Sequence, residues 1–316
     1  MKHTIGDLKQ MQSLPLRAKV LMTKQRIKAW YEHWDGDVYL AFSGGKDSTV
    51  LKHIIDSMYD DVPAVFVNTG LEFPELRTLA MRQKNVVRVD PKMKFYDVIN
   101  TYGYPVISKE IANCIDGAKR ALSKDPNSNA IRVQRIRGTL KAKDGVSPSQ
   151  FNCQKYEYLM DAPFKVSDKC CTYMKKEPLK RYEKETGRKP IVGTMTHEGR
   201  ARLNSWLKTG CNSFDSKAPM SKPMSFWTEQ DILQYIVEND LEIASVYGEI
   251  IVNESGQYEL TGEPRTGCMF CMFGCHLEKE PNRFQRMKQT HPKQHEYCMN
   301  KLGLKEVLDY IGVDYE

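Results

Sequence analysis

Val38-Tyr39-Leu40-Ala41-Phe42-Ser43-Gly44-Gly45-Lys46-Asp47-Ser48-Thr49-Val50-Leu51 passes from an unbroken apolar run, through a glycine turn, into a segment of helical spacing. An apolar run with no polar alternation reads as a strand covered on both faces, the habit of a buried parallel sheet. Past the turn, Val50, Leu51, Ile54, Ile55 and Met58 fall on one helical face. Gly44 and Gly45 let the backbone curl with no Cβ in the way. N–H groups at the helix start then point into the curl, where anionic oxygens bind. Lys46 adds a positive charge and the hydroxyls of Ser43 and Ser48 add donors. A single residue separates Gly44 from Lys46, so this is not the Gly-x-x-x-x-Gly-Lys-Ser/Thr loop of common nucleotide triphosphatases.

Working outward, 63–67 reads as a second strand, 74–84 as a second helix, 86–89 as a third strand and 189–193 as a later strand returning to the same sheet. The alternation predicts an α/β fold with a doubly wound, mostly parallel sheet, and ligands of such sheets bind at the carboxyl ends of the strands. Leu16, Val20, Leu21, Ile27, Trp30 and Trp34 mark an amphipathic helix over 14–34, packed on the main domain and without a functional reading. Lysine and arginine crowd 119–143, where apolar periodicity is weak. That stretch is an insertion or lid, either a solvated charge run or a contact to phosphate or nucleic acid. Residues 205–225 look loop-like, Thr228 to Asp231 cap a helix through Ile232, Leu233, Ile236 and Val237, and a short helix lies near 304–311. The expected division is an N-terminal helix over 1–36, a nucleotide-binding domain over 37–245 with a basic insertion at about 118–150, and a cysteine-rich segment over 246–316.

The chain has 316 residues, 41% of them hydrophobic and 28% charged, with a net charge of +7. A moderately basic balance suits a phosphate-bearing small ligand or a polyanion equally. No stretch approaches the ~18 apolar residues of a membrane span, and the N-terminal residues lack the apolar core of a secretory signal. The expectation is a cytoplasmic protein with no membrane partner. Nine cysteines in a reducing compartment call for something other than disulfides. Cys114, Cys153 and Cys211 stand alone, as small buried apolar side chains do. Cys170-Cys171 and Cys268-x-x-Cys271-x-x-x-Cys275 cluster, with Cys298 further on. Clustering is what metal ligation predicts, and the spacing leaves zinc, an iron–sulfur cluster and a redox pair open.

Ser43 to Ser48 resembles the pyrophosphate loop (PP-loop) of the adenine-nucleotide alpha-hydrolase superfamily. Asn68-Thr69-Gly70 before Phe73-Pro74-Glu75 is similar to the second-strand motif of its phosphoadenylyl-sulfate (PAPS) and adenylyl-sulfate reductase family. Cys170-Cys171 leading into Lys175 to Leu179, Gly193 to Glu198 with Arg200 and Arg202, and Pro223 to Ile236 resemble further segments of that family. The likeness runs discontinuously from about Val38 to Cys271. It implies an adenine nucleotide, ATP or a sulfonucleotide such as PAPS or adenylyl sulfate, held by Ser43, Gly44, Gly45, Lys46, Asp47 and Ser48. Asn68, Thr69 and Gly70 would meet the adenosine, and Arg200 and Arg202 would clamp phosphate or sulfate through their guanidinium forks. It also implies a [4Fe–4S] cluster on Cys170, Cys171, Cys268 and Cys271, with zinc as the alternative and magnesium left open as a companion of the nucleotide.

The family's C-terminal Glu-Cys-Gly-x-His segment has no counterpart in 303–310. Three function classes therefore remain. A sulfurtransferase would activate an acceptor as an adenylate, and Arg265 to Cys271 is similar to a stretch of DNA-phosphorothioation sulfurtransferases. Cluster-dependent tRNA-thiolating enzymes resemble the same scheme. A sulfonucleotide reductase would need a relocated thiol, Cys275 or Cys298, as nucleophile or persulfide carrier. A nucleotide-sensing or nucleic-acid-binding module would have no turnover, which the presence of Lys46 disfavours. The catalytic assignments are Lys46 and Cys275, and the expected partners are a sulfur donor or reductant protein and nucleic acid through the basic insertion.

Overall fold

A computed structural model describes residues 3–316, so the part of the N-terminal reading that falls on Met1 and Lys2 lies outside the described residues. The strands are β1 (Val38–Phe42), β2 (Ala64–Val67), β3 (Val86–Val89), β4 (Val106–Ile107), β5 (Lys189–Val192), β6 (Asn212–Ser213), β7 (Met220–Ser221), β8 (Ile250–Val252), β9 (Tyr258–Leu260) and β10 (Met272–Phe273). Six of them form one sheet in the order β3-β2-β1-β5-β7-β6, parallel except for β6. The chain runs outward from β1 to β3 on one side and resumes beside β1 with β5 on the other. The β1/β5 boundary is thus a topological switch point, where open α/β sheets bind ligands.

Alternation along β1 supplies both faces of the core. Val38, Leu40 and Phe42 pack with Val50, Leu51 and Ile54 of helix Lys46–Asp56 and with Phe66, Ile191 and Trp227. Tyr39 faces the other way, onto Val65 and Tyr182. Helix Leu16–His33 buries Leu16, Lys19, Thr23, Ile27 and Trp30, whereas Leu21, expected on its apolar face, is exposed. The stripe continues through polar residues because each has a partner. Lys19 Nζ meets both carboxylate oxygens of Asp231 at 2.7 Å, and Thr23 accepts from the Trp227 indole at 2.9 Å. Asp231 also closes the expected capping box with Thr228 at the start of helix Glu229–Glu238.

By internal contacts the chain forms two units, interleaved along the sequence rather than divided linearly. The first joins the segment ending at Asn68 with Glu72–Asp90 and Pro178–Thr266, and holds the six-stranded sheet and the antiparallel β8–β9 ribbon. Residues 246–266 belong here because Gln230 and Tyr258 exchange two 2.8 Å hydrogen bonds and Tyr247 is buried. The second joins Thr69–Leu71, Pro91–Glu177 and Gly267–Glu316, with β10 pairing in parallel with β4.

Two stretches depart from the sequence expectation. The basic region is folded: helix Lys109–Lys124 buries Ile111, Ala112, Cys114, Ile115 and Ala118, and helix Ile131–Arg137 buries Val133 and Ile136. Gly117 permits their close crossing, since a Cβ there would lie 2.1 Å from Arg132 Cδ. The second helix buries two of its three apolar residues, since Ile131 is exposed, and seven residues are too few to signal periodicity. Within 205–225, helix Arg200–Thr209 and strands β6 and β7 replace the expected loop, the strands being only two residues long. No helix among the described residues is long and apolar enough to cross a membrane.

Candidate functional site

The loop after β1 sits at the switch point. Gly44 has φ +73°, and a Cβ on it would come 2.9 Å from the carbonyl oxygen of Leu76, so the turn demands glycine. Ser43 and Ser48 bridge it, their hydroxyls 3.0 Å apart, and Gly45 N donates to Ser43 Oγ at 3.3 Å. From β5, Gly193 approaches the same turn: a Cβ there would meet Asp47 O at 3.4 Å and Ser48 Cα at 3.5 Å.

Lys46 is buried among acceptors. Its Nζ lies 3.2 Å from both Pro264 O and Glu229 Oε1 and 3.7 Å from Asp47 Oδ1. Its backbone N–H donates to the Tyr247 hydroxyl at 3.1 Å, and the same hydroxyl lies 2.5 Å from Thr266 Oγ1. Burial pushes the Asp47 carboxyl up, Lys46 pulls it down, Glu229 adds to the rise, and His197 and Arg265 oppose it. Glu198 draws two guanidinium groups together, pairing with Arg202 and, at 3.1 Å, with Arg265. Burial and the neighbouring Arg265 lower the Arg202 pKa, while Asp47 raises it. Arg200 is exposed at the start of its helix.

Among the described residues of this unit, three buried oxygens lack a hydrogen-bond partner: Asp47 Oδ1, Asn68 Oδ1 and Thr196 Oγ1. They follow β1, β2 and β5, neighbouring strands, at their carboxyl ends. Asn68 donates its amide to Asp90 at 2.8 Å, leaving the oxygen over. Thr69 and Gly70 belong to the second unit, where Thr69 Oγ1 accepts from Leu71 N at 3.1 Å. Sequence reasoning missed Tyr247, Thr266, Glu229 and Arg265 as neighbours of the loop. Arg265-Thr266, directly before the Cys-x-x-Cys motif, was the one available signal.

All clustered cysteines lie in the second unit. Cys170 and Cys171 place their sulfurs 3.9 Å apart, and Cys268 and Cys271 act electrostatically on Cys170. Hydrogen bonding within the pair and burial push Cys170 up, while Cys171 is held down at about 6 by the bond from Cys170 and by Lys109 and Lys175 nearby. The Cys268–Cys271 turn closes with Cys271 N donating to Cys268 O at 3.1 Å, and Arg283 braces it through Cys271 O at 2.8 Å. Among the described residues, no three His, Cys, Asp or Glu side chains converge as they would on a single metal ion. Cys275 and Cys298 are 1% and 0% exposed, donate to the backbone oxygens of Met272 and His295, and are pushed by burial up to about 12. A nucleophilic thiol needs an accessible, electropositive setting. Neither has one.

Two arginines of the basic region have internal partners. Arg135 pairs with Glu110 at 2.5 Å and donates to Phe151 O at 2.8 Å, and Arg132 donates to Asn113 Oδ1 at 2.9 Å. Arg137 is exposed.

A parallel sheet with a glycine-and-lysine loop at its switch point defines an α/β protein of the PP-loop kind. The sequence matches the phosphoadenosine phosphosulfate reductase domain over residues 37–105 and 123–275, and the chain belongs to that family. No curated protein matches it. Among solved structures it is similar to a phosphoadenylyl-sulfate (PAPS) reductase from Candida auris in a phosphate complex, at 15% identity over 78% of this chain and 91% of that one, with a TM-score of 0.37.

Proposed function

We propose that the protein binds ATP at Ser43–Ser48 and passes sulfur to an acceptor that it first activates as an adenylate, with nucleic acid as the acceptor class. The observation that carries the nucleotide reading is the set of buried oxygens of Asp47, Asn68 and Thr196 around the loop that lack a hydrogen-bond partner. Buried polar atoms are almost always paired, and a polar ligand at the strand ends supplies the missing partners. In this reading the loop's N–H groups and Lys46 hold the phosphates, Arg202 and Arg265 neutralise their charge, and Asn68 reads the adenosine. Arg200, named from the family likeness, would complete that contact set. Asp47 and Glu229 are the carboxylates available to a magnesium ion.

The reaction balances without an external oxidant. An acceptor oxygen attacks the α-phosphorus of ATP, the bond to pyrophosphate breaks, and pyrophosphate leaves. Sulfide then attacks the activated centre, and AMP departs with the original oxygen. Reduction of a sulfonucleotide would instead need a thiol nucleophile, and buried Cys275 and Cys298 do not fit that role. Cys170, Cys171, Cys268 and Cys271 would hold a [4Fe–4S] cluster, one thiolate per iron, and Cys171, Cys268 and Cys271 each lie within electrostatic reach of Cys170. When bound, a cluster of this kind supplies electron transfer and soft-metal chemistry toward sulfur.

Anaerobically prepared protein, mixed separately with ATP, PAPS and adenylyl sulfate in the presence of sulfide and nucleic acid, should convert ATP to AMP and pyrophosphate. It should also carry about four irons per chain. Sulfite release from PAPS or adenylyl sulfate would replace this reading with reduction, and a colourless protein holding one zinc would remove the cluster.

A further inference from the structure

Within the second unit a cavity of about 580 Å³ opens between helix Lys109–Lys124 and the segment that carries Cys170 and Cys171. Its size falls in the range of pockets that hold a whole small ligand. Lys119, Arg120, Lys165 and Lys169 line it against one carboxylate, Asp116, which Arg120 already pairs at 2.8 Å. Lys165 gives one hydrogen bond to Thr101 O at 3.2 Å and keeps further donors. Lys119 is half-buried, and burial lowers its pKa, so an arriving anion would relieve its desolvation. Tyr102 and Tyr173 form part of the wall, stacked with ring centroids 4.5 Å apart and planes 15° from parallel. Fixed cations beside a stacked aromatic pair are the recognition chemistry of a base with its phosphates.

We propose that this cavity seats a single-stranded stretch of nucleic acid, one base extending the Tyr102–Tyr173 stack and its phosphates held by Lys119, Lys165 and Lys169. The proposal rests on the reading of the protein as a sulfurtransferase and says where its acceptor is gripped. Lys169 and Tyr173 bracket Cys170-Cys171 on one continuous helical stretch, Lys169–Cys171 followed by Thr172–Lys176. A strand bound there is held next to the vicinal cysteines. A duplex does not fit this chemistry, because its bases are stacked on one another and unavailable to tyrosine.

Fluorescence anisotropy with a labelled single strand of about twelve nucleotides tests this on the full chain. Lys119→Glu and Lys165→Glu should each weaken binding at least tenfold and lower the salt slope by about one. Tyr173→Leu should weaken it fivefold or more, with circular dichroism and ATP affinity retained in all three. A strand carrying 5-bromouracil should photo-crosslink to the peptide containing Tyr173 in the unsubstituted protein, a readout independent of any variant's folding. Binding unchanged by all three substitutions, crosslinks confined to 131–137, equal affinity for duplex, or full displacement by AMP would each overturn the assignment. Those results with ATP turnover intact remove the cavity's role alone, whereas absent ATP turnover in the unsubstituted protein removes the reading beneath it.

Discussion

At Gly44 a single hydrogen atom decides whether the loop closes. Its left-handed φ and the 2.9 Å approach to Leu76 O leave no room for a methyl group. Gly44→Ala is expected to cost about 1–2 kcal/mol in backbone strain and to splay the N–H groups, weakening ATP binding tenfold or more. Unchanged ATP affinity and melting temperature would show that the loop does not need this geometry. Ser43 to Ser48 was legible because its chemistry is contiguous in sequence. Tyr247 and Glu229 were not, since nothing local marks them and only the fold brings residues some two hundred positions away against Lys46. Cys275 shows the converse limit. Its place beside a Cys-x-x-Cys motif invites a reactive role, but reactivity depends on exposure, and burial is a property of packing.

Among the elements, β1 and β2 could be read because strands covered on both faces are apolar throughout, and β3 and β5 because their β-branched residues stand out beside Arg88 and Lys189. β6 and β7 could not, being two residues each with serine at one position. The N-terminal helix was recognised while its buried face was drawn partly wrong. Lys19, not among the residues that marked the helix, lies in the stripe, and Leu21, which was among them, lies outside it. A buried lysine persists only with a partner, and Asp231 is that partner. Lys19→Met should destabilise the first unit by about 3–5 kcal/mol, because it leaves Asp231 buried without a counter-charge. Urea unfolding followed through the buried tryptophans would measure it, and a loss below about 1 kcal/mol would mean water reaches Asp231. The basic helices were hidden for a similar reason: Arg132 and Arg135 read as solvated charge, and only their partners Asn113 and Glu110 reveal them as tertiary contacts.

Across the whole molecule, the net charge of +7 gives no address by itself. Part of it is absorbed in internal pairs, and part gathers on the wall of one cavity in the second unit. Interleaving of the two units also explains why a linear domain division was the natural expectation: the sequence shows order along the chain, whereas β4 with β10, and Gln230 with Tyr258, pair across long separations. The account stands on the loop at the β1/β5 switch point as the seat of an adenine nucleotide. Calorimetric titration of ATP into the unsubstituted protein and into Lys46→Ala tests that most directly. Measurable binding that weakens more than tenfold in the folded variant is expected, and equal affinity in the two proteins would rule out the loop as the nucleotide's seat.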